Sequence, residues 1–279
     1  MSAADEALLA DPDAAPVGDG AKEDGAKEDR HFVTALARGL AVLACFGPGR
    51  TSLANHDIAA ACGLPRSTVS RLTYTLTKLG YLHHTAETGR YRLGNATIAL
   101  SSAALGGLDV RGIARPVLRA VAEAANASVG LGVRDRLSMR YVDCQRGPAA
   151  ISLNLDTGSR ISLARSAMGR AYVAVCPERE RESIYEDLKA LDPVAWPALR
   201  TGLDRAVAEH RELGCCTSFG EWQETVCAIA VGFHPGGGLP PMSVNCGAPT
   251  VITDARFLMD VVRPKLIAAV RGLDGVMGA

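Results

Sequence analysis

The side chains best suited to chemistry cluster between residues 66 and 74: Arg66, Ser67, Thr68, Ser70, Arg71 and Tyr74. If this stretch is helical, Val69 and Leu72 share one face and the six polar side chains line the other. Such a set can reach guanine edges, phosphates and thymine methyls. Arg90 and Arg92 lie on a second basic stretch that suits phosphates. The eight cysteines are Cys45, Cys62, Cys144, Cys176, Cys215, Cys216, Cys227 and Cys246. None stands in a C-x-x-C pair, and the adjacent Cys215 and Cys216 suit neither a tetrahedral metal site nor a mutual disulfide. Most sit among apolar neighbours and read as small buried hydrophobes in a reducing compartment. Cys215, Cys216 or Cys227 with His210 or His234 would be a thiol nucleophile and base, but no orienting third residue accompanies them. No Gly-x-Ser-x-Gly, phosphate loop or metal motif occurs. The sequence therefore predicts no enzyme, no cofactor and no metal.

The elements that must position the basic residues are legible around them. Val33, Leu36, Leu40, Leu43 and Phe46 recur at helical spacing, and Gly47-Pro48-Gly49 ends that run. A second helix is expected over about 55–62, followed by Gly63. A third begins at Pro65, where a missing N–H is no loss, and runs to about Leu79. Helix, tight turn and helix make a helix-turn-helix, with Ala59 at the close approach and Ile58, Cys62, Val69 and Leu72 as shared core. Residues 81–84 and 90–93 then read as a hairpin, the wing of a winged helix. An Ala/Leu/Ser-rich linker helix follows over 95–108. Beyond it helices are expected near 113–126, 166–176, 177–191 and 204–213, and strands near 128–133, 139–144, 149–155, 226–233 and 242–246. Thr253 is expected to cap a last helix over 254–270.

Charge supports this division. The 279 residues carry 30 Lys+Arg and 30 Asp+Glu, but unevenly. Residues 1–30 have a net charge of −6, residues 31–95 a net of +5, and the remainder +1. A basic segment of this size suits a small DNA-binding module. With 48% hydrophobic and 22% charged residues the chain can build a core, which excludes disorder throughout. No apolar run approaches the ~18–20 residues of a membrane span. The first thirty residues are the reverse of a signal peptide, which points to the cytoplasm. They contain Ala-Lys-Glu-Asp twice and read as a disordered acidic tail.

The stretch from Asp57 to Leu72, with Gly80-Tyr81-Leu82 and Tyr91-Arg92-Leu93-Gly94, resembles the DNA-reading unit and wing of the IclR family of bacterial transcription regulators. Residues 153–163, Ser166-Ala167-Met168-Gly169-Arg170-Ala171, Gly220-Glu221-Trp222, residues 227–231 and residues 244–249 resemble that family's effector-domain signature. The likeness runs from about Phe32 to Ala269. It implies an α+β chain: a disordered tail (1–30), an N-terminal winged helix-turn-helix domain (31–94), a linker helix (95–110) and a C-terminal GAF-like α/β effector-binding domain (111–275). It also implies a homodimer or homotetramer on double-stranded palindromic operators, responding to a small organic or aromatic acid. By motif position the effector would meet Ser166, Ala167, Met168, Gly169, Thr217, Ser218, Cys227, Asn245 and Gly247. Gly169 would let backbone N–H groups face a carboxylate at a helix N-terminus. Family members that bind small keto acids often carry acidic and serine residues where this chain has Thr217, Asn245 and Gly247. Trp222 either walls an aromatic ligand or covers the sheet, Glu221 reads as a loop charge, and Arg160 and Arg165 as countercharges or ordinary surface arginines.

Overall fold

The computed structural model describes residues 32–278 except 48, 107, 108 and 150. The acidic tail expected over 1–30 lies outside the described residues. These residues fall into two compact units that meet in sequence between 106 and 109.

The N-terminal unit comprises α1 (Thr34–Ala44), β1 (Leu53–Ala54), α2 (Asn55–Cys62), α3 (Arg66–Lys78), β2 (Leu82–Thr85), β3 (Arg90–Leu93) and α4 (Asn95–Gly106). Ala41, Val42, Phe46, Leu53, Ile58, Cys62, Val69 and Leu82 are buried together as its core. The turn between α2 and α3 hinges on Gly63, whose φ of 65° is left-handed and whose N–H bonds the Ala59 carbonyl. Pro65 stands just before α3 instead of opening it. The wing has a third strand, because β1 pairs with β3 and gives the antiparallel order β1-β3-β2. At two residues, β1 is too short to show an alternating pattern.

The C-terminal unit comprises α5 (Asp109–Ala125), β4 (Ser128–Asp135), β5 (Ser138–Arg146), β6 (Arg160–Ser162), α6 (Ala167–Val175), α7 (Glu178–Leu191), α8 (Trp196–Leu213), β7 (Cys216–Phe219), β8 (Val226–Phe233) and β9 (Met242–Pro249). It closes with α9 (Ala255–Phe257), a π-turn (Leu258–Val262), α10 (Arg263–Arg271) and a 3-10 turn (Val276–Gly278). The six strands form one antiparallel sheet in the order β6-β5-β4-β9-β8-β7. β8 is buried along its whole length. Ala228 and Ala230 pack with Ala167 and Ala171 of α6, so strand alternation turns Cys227, Ile229 and Val231 to the other face. Small residues on both sides bring α6 close to the sheet.

Three expectations are corrected. Residues 149 and 151–155 form no strand; Leu153 and Leu155 are half-buried while Ser152 and Asn154 are exposed, so their alternation marks a segment lying on the domain and not a ladder. α8 begins at Trp196, eight residues before the expected start, because the Asp192 carboxylate accepts the Val194 and Ala195 N–H groups at 3.1 and 2.9 Å. The last helix is capped by Asp254, which accepts the Phe257 N–H at 2.7 Å, and not by Thr253.

Candidate nucleic-acid interface and effector cavity

α3 turns Val69 and Thr73 into the core and presents its other side to solvent. Arg66, Ser67, Ser70, Arg71 and Tyr74 are exposed, and Thr68 is half-buried. Among the described residues, neither Arg66 nor Arg71 enters an ion pair, so both guanidinium groups remain available. The Ser70 hydroxyl donates to the Arg66 carbonyl at 2.9 Å and accepts from Asn55 Nδ2 at 3.1 Å, which ties the start of α2 to α3. The Lys78 ammonium sits 5.6 Å from the centre of the Tyr74 ring. On the wing, Arg92 is exposed. Arg90 is not free for phosphate as expected. Its Nη2 donates to the Ser52 carbonyl at 2.8 Å and pairs with Asp57 at 3.3 Å. Asp57 in turn accepts the Ala54 N–H at 2.8 Å. That bond, with His56 and Arg90 beside it, holds the Asp57 carboxyl below the usual range despite some desolvation. Arg90 is thus a strut between the wing and α2.

The C-terminal unit holds a narrow, nearly closed cavity with about 10 Å³ of free space, room for at most one water molecule. Of the residues expected there, Ser166, Ala167, Ser218 and Asn245 line it. Gly247 lies beside them, where an added Cβ would sit 3.6 Å from Leu153. Four others lie elsewhere. Met168 is sealed, its sulfur against Gly132, and its carbonyl accepts the Ser243 hydroxyl at 2.9 Å. Gly169 gives its N–H to Ser166 Oγ at 3.1 Å, so that group does not face the cavity. An added Cβ on Gly169 would lie 2.1 Å from the Leu163 carbonyl oxygen, so glycine serves close packing here. The Thr217 hydroxyl and N–H both donate to Glu209 of α8. Cys227 points away from the face that Ala228 presents, and burial raises its thiol pKa.

Trp222, read from sequence as either a ligand wall or a cover for the sheet, also lines it, while Tyr141, Leu153, Leu155, Ile161, Val226 and Ala228 escaped sequence reasoning. The two leucines carried the available signal, an alternating pattern taken for a strand. Most of the polar groups here are already engaged. The Ser166 hydroxyl donates to the Ser162 carbonyl at 2.6 Å and the Ser218 hydroxyl to the Arg165 carbonyl at 2.8 Å. Asn245 Nδ2 donates to the Tyr141 hydroxyl at 2.9 Å, and Asn245 Oδ1 is buried with no partner. Burial keeps Tyr141 protonated by pushing its phenol above the usual range.

Glu221, next to Trp222 in sequence, is held by a charge clamp. Arg170, 4% exposed, donates Nε to the Ala164 carbonyl at 3.2 Å and Nη1 to the Thr217 carbonyl at 2.9 Å, and pairs with Glu221. Glu221 also pairs with Arg205 of α8. Burial alone would raise the Glu221 pKa, but the bonds from Arg170 and Arg205 outweigh it and hold the carboxyl below its usual range. Glu221 is therefore a latch and not a solvated loop charge. Arg160 is directed to Ser138 and Asp135.

Comparison with known proteins gives this arrangement a family. Residues 35–86 match the IclR helix-turn-helix domain, and residues 102–274 match the bacterial transcriptional regulator IclR C-terminal domain. The chain is 31% identical over 250 residues to HTH-type transcriptional regulator TsaQ1/TsaQ2 of Comamonas testosteroni, covering 89% of this chain and 90% of that one. The crystal structure of an IclR family transcriptional regulator from Brucella abortus superposes with a TM-score of 0.80 at 41% identity, covering 90% and 95% of the two chains. An IclR homolog from Microbacterium hydrocarbonoxydans, complexed with 4-hydroxybenzoate, shares the fold with a TM-score of 0.68 at 22% identity over 88% and 99%. The chain belongs to the IclR family and is a DNA-binding transcriptional regulator.

Proposed function

We propose that this regulator is a homodimer or homotetramer that reads a palindromic operator with Arg66, Ser67, Thr68, Ser70, Arg71 and Tyr74, and that a small aromatic acid in the C-terminal cavity controls it. The observation that carries the effector reading is the unengaged amide oxygen of Asn245 in a cavity walled by Trp222. A buried amide group without a partner is costly, and a ligand hydroxyl or N–H would satisfy it. Ala167 opens α6, whose first N–H groups have no partner within the helix, and a carboxylate there meets the positive end of the helix. The space free at present, about 10 Å³, holds no more than a water molecule, so the pocket must open to admit a ring. The homolog bound to 4-hydroxybenzoate supports this class. The dimer reading draws on Val33, Leu36 and Leu40, each about 60% exposed on one side of α1. The preceding residues have no apolar period to cover them, whereas a second copy supplies a matching stripe. Effector binding would act by population shift, changing how two α3 helices span grooves about 34 Å apart.

Titration calorimetry with 4-hydroxybenzoate and benzoate tests the effector reading. We expect 4-hydroxybenzoate to bind and benzoate, which lacks the donor, to bind at least tenfold more weakly. Asn245→Leu should erase that difference. Equal affinity for both acids, or no binding of either, would remove the hydroxylated ring acid as the effector.

A further inference from the structure

Cys45 and Cys62 are both free thiols, and their sulfurs lie 3.1 Å apart across the core of the DNA-binding domain. Cys45 follows the end of α1, and Cys62 is the last residue of α2. They are 17 residues apart in sequence, and Gly63 and α3 come directly after the second of them. Cys45 is half-buried and reachable from solvent, whereas Cys62 is 5% exposed. The Cys45 sulfur also contacts the Ala41 carbonyl at 3.3 Å. From this pairing we propose that Cys45 and Cys62 form an oxidation site: a hydroperoxide converts them to an intradomain disulfide that loosens the grip of α3 on DNA.

The chemistry balances in two steps. The Cys45 thiolate attacks the peroxide oxygen, the O–O bond breaks, and a sulfenic acid forms; the departing hydroxide (or alkoxide, from an organic hydroperoxide) takes up the proton that the thiol had released and leaves as water or alcohol. The Cys62 sulfur then attacks Cys45 Sγ, the S–O bond breaks, and hydroxide leaves with the Cys62 proton as water. Both thiols are oxidised and the peroxide is reduced. The order of attack follows from the surroundings. Burial, followed by the bond to Cys45, pushes the Cys62 thiol up to about 12, which leaves the more accessible Cys45 to meet the oxidant. The sulfurs need to approach by only about 1 Å to reach bonding distance. The consequence for DNA rests on α3 being the reading helix. Drawing the ends of α1 and α2 together strains a close-packed core. The Gly63–Pro65 turn transmits that strain to Arg66, four residues past Cys62. Contacts to base edges tolerate displacements of only about 0.5 Å.

Two readouts on the full chain test the site. The reduced protein is treated with hydrogen peroxide, unfolded in N-ethylmaleimide and digested for mass spectrometry. A peptide pair joined through Cys45 and Cys62 is expected, with the other cysteines alkylated; recovery of both residues as alkylated thiols, or of Cys45 as a sulfinic acid beside an alkylated Cys62, overturns the proposal. The second readout is fluorescence anisotropy on a duplex selected from a random pool by the reduced protein. Peroxide should weaken binding at least tenfold and dithiothreitol should restore it. Cys45→Ser should bind as the reduced protein does and ignore peroxide. A joined peptide with unchanged affinity, or a Cys45→Ser protein that still responds, overturns the regulatory half. The mass readout decides the site without reference to DNA, so its result stands apart from any failure of α3 to read a duplex.

Discussion

Arg71 and Arg90 carry the same charge, yet their surroundings give them different roles. Arg71 is exposed and outside any ion pair among the described residues, while Arg90 is bound to Ser52 and Asp57. Arg71→Ala should weaken operator binding by about 1–3 kcal/mol and relax the preference at one base. Arg90→Ala should leave the salt dependence of binding unchanged, because a strut releases no counterion from DNA, whereas loss of a phosphate contact lowers the slope by about one. Anisotropy titrations across salt concentrations separate the two, and a reduced slope for Arg90→Ala would return it to the phosphate contacts. Sequence could place both arginines on the domain, but it could not show that Asp57, 33 residues earlier, takes one of them out of play.

Glu221 shows the same kind of pairing in the effector unit, and it carries a pH dependence. Its carboxyl is held below the usual carboxylate range by Arg170 and Arg205, which outweigh its burial. A folded pKa that is depressed contributes stability above the unfolded pKa, and that stability disappears as pH falls through the folded value. Urea midpoints should therefore be steady near neutral pH and decline below about pH 4.5. About a third of the Glu221 side chain stays wet, so Glu221→Gln should cost roughly 1 kcal/mol at pH 7 rather than the ~3–5 of a sealed pair. The variant should also lose part of the acid-side decline, and an unaltered pH profile would exclude Glu221 as its source.

At the scale of elements, legibility followed length and burial. α3 was readable because Val69 and Leu72 recur on one side after Gly63. The wing was readable because Gly89 sits between two short β-rich runs. β1 and β6, at two and three residues, carry too little pattern to register. Leu153 and Leu155 misled because alternation reports one covered face and says nothing about pairing. Gly169 was found for the wrong reason. It was expected to bare its N–H to an anion, but its N–H caps onto Ser166 and its missing Cβ lets α6 pass over Leu163. Gly169→Ala should therefore destabilise the C-terminal unit by about 1–3 kcal/mol through overpacking, read as a lower thermal midpoint. If stability held and only effector affinity fell, the packing account would be wrong.

At the scale of the whole molecule, the uneven charge and the bare stripe on α1 belong to one argument. The net +5 of residues 31–95 is modest for one domain, and binding to a duplex grows with the number of phosphates neutralised. In the proposed dimer, two copies joined through α1 would double that charge and set two α3 helices on one operator. Glutamate at Leu36 and Leu40, both exposed and outside the core, should leave each domain folded while placing like charges across the joint. Analytical ultracentrifugation should then show a smaller species than the unmodified protein. The slope of log affinity against log salt should fall to about half, since each retained phosphate contact contributes about −0.9. Binding to a single half-site should be little changed, because the reading surface is intact. A smaller species that kept the full slope on the complete operator would mean that one copy supplies every phosphate contact, and the palindromic reading would fall with it.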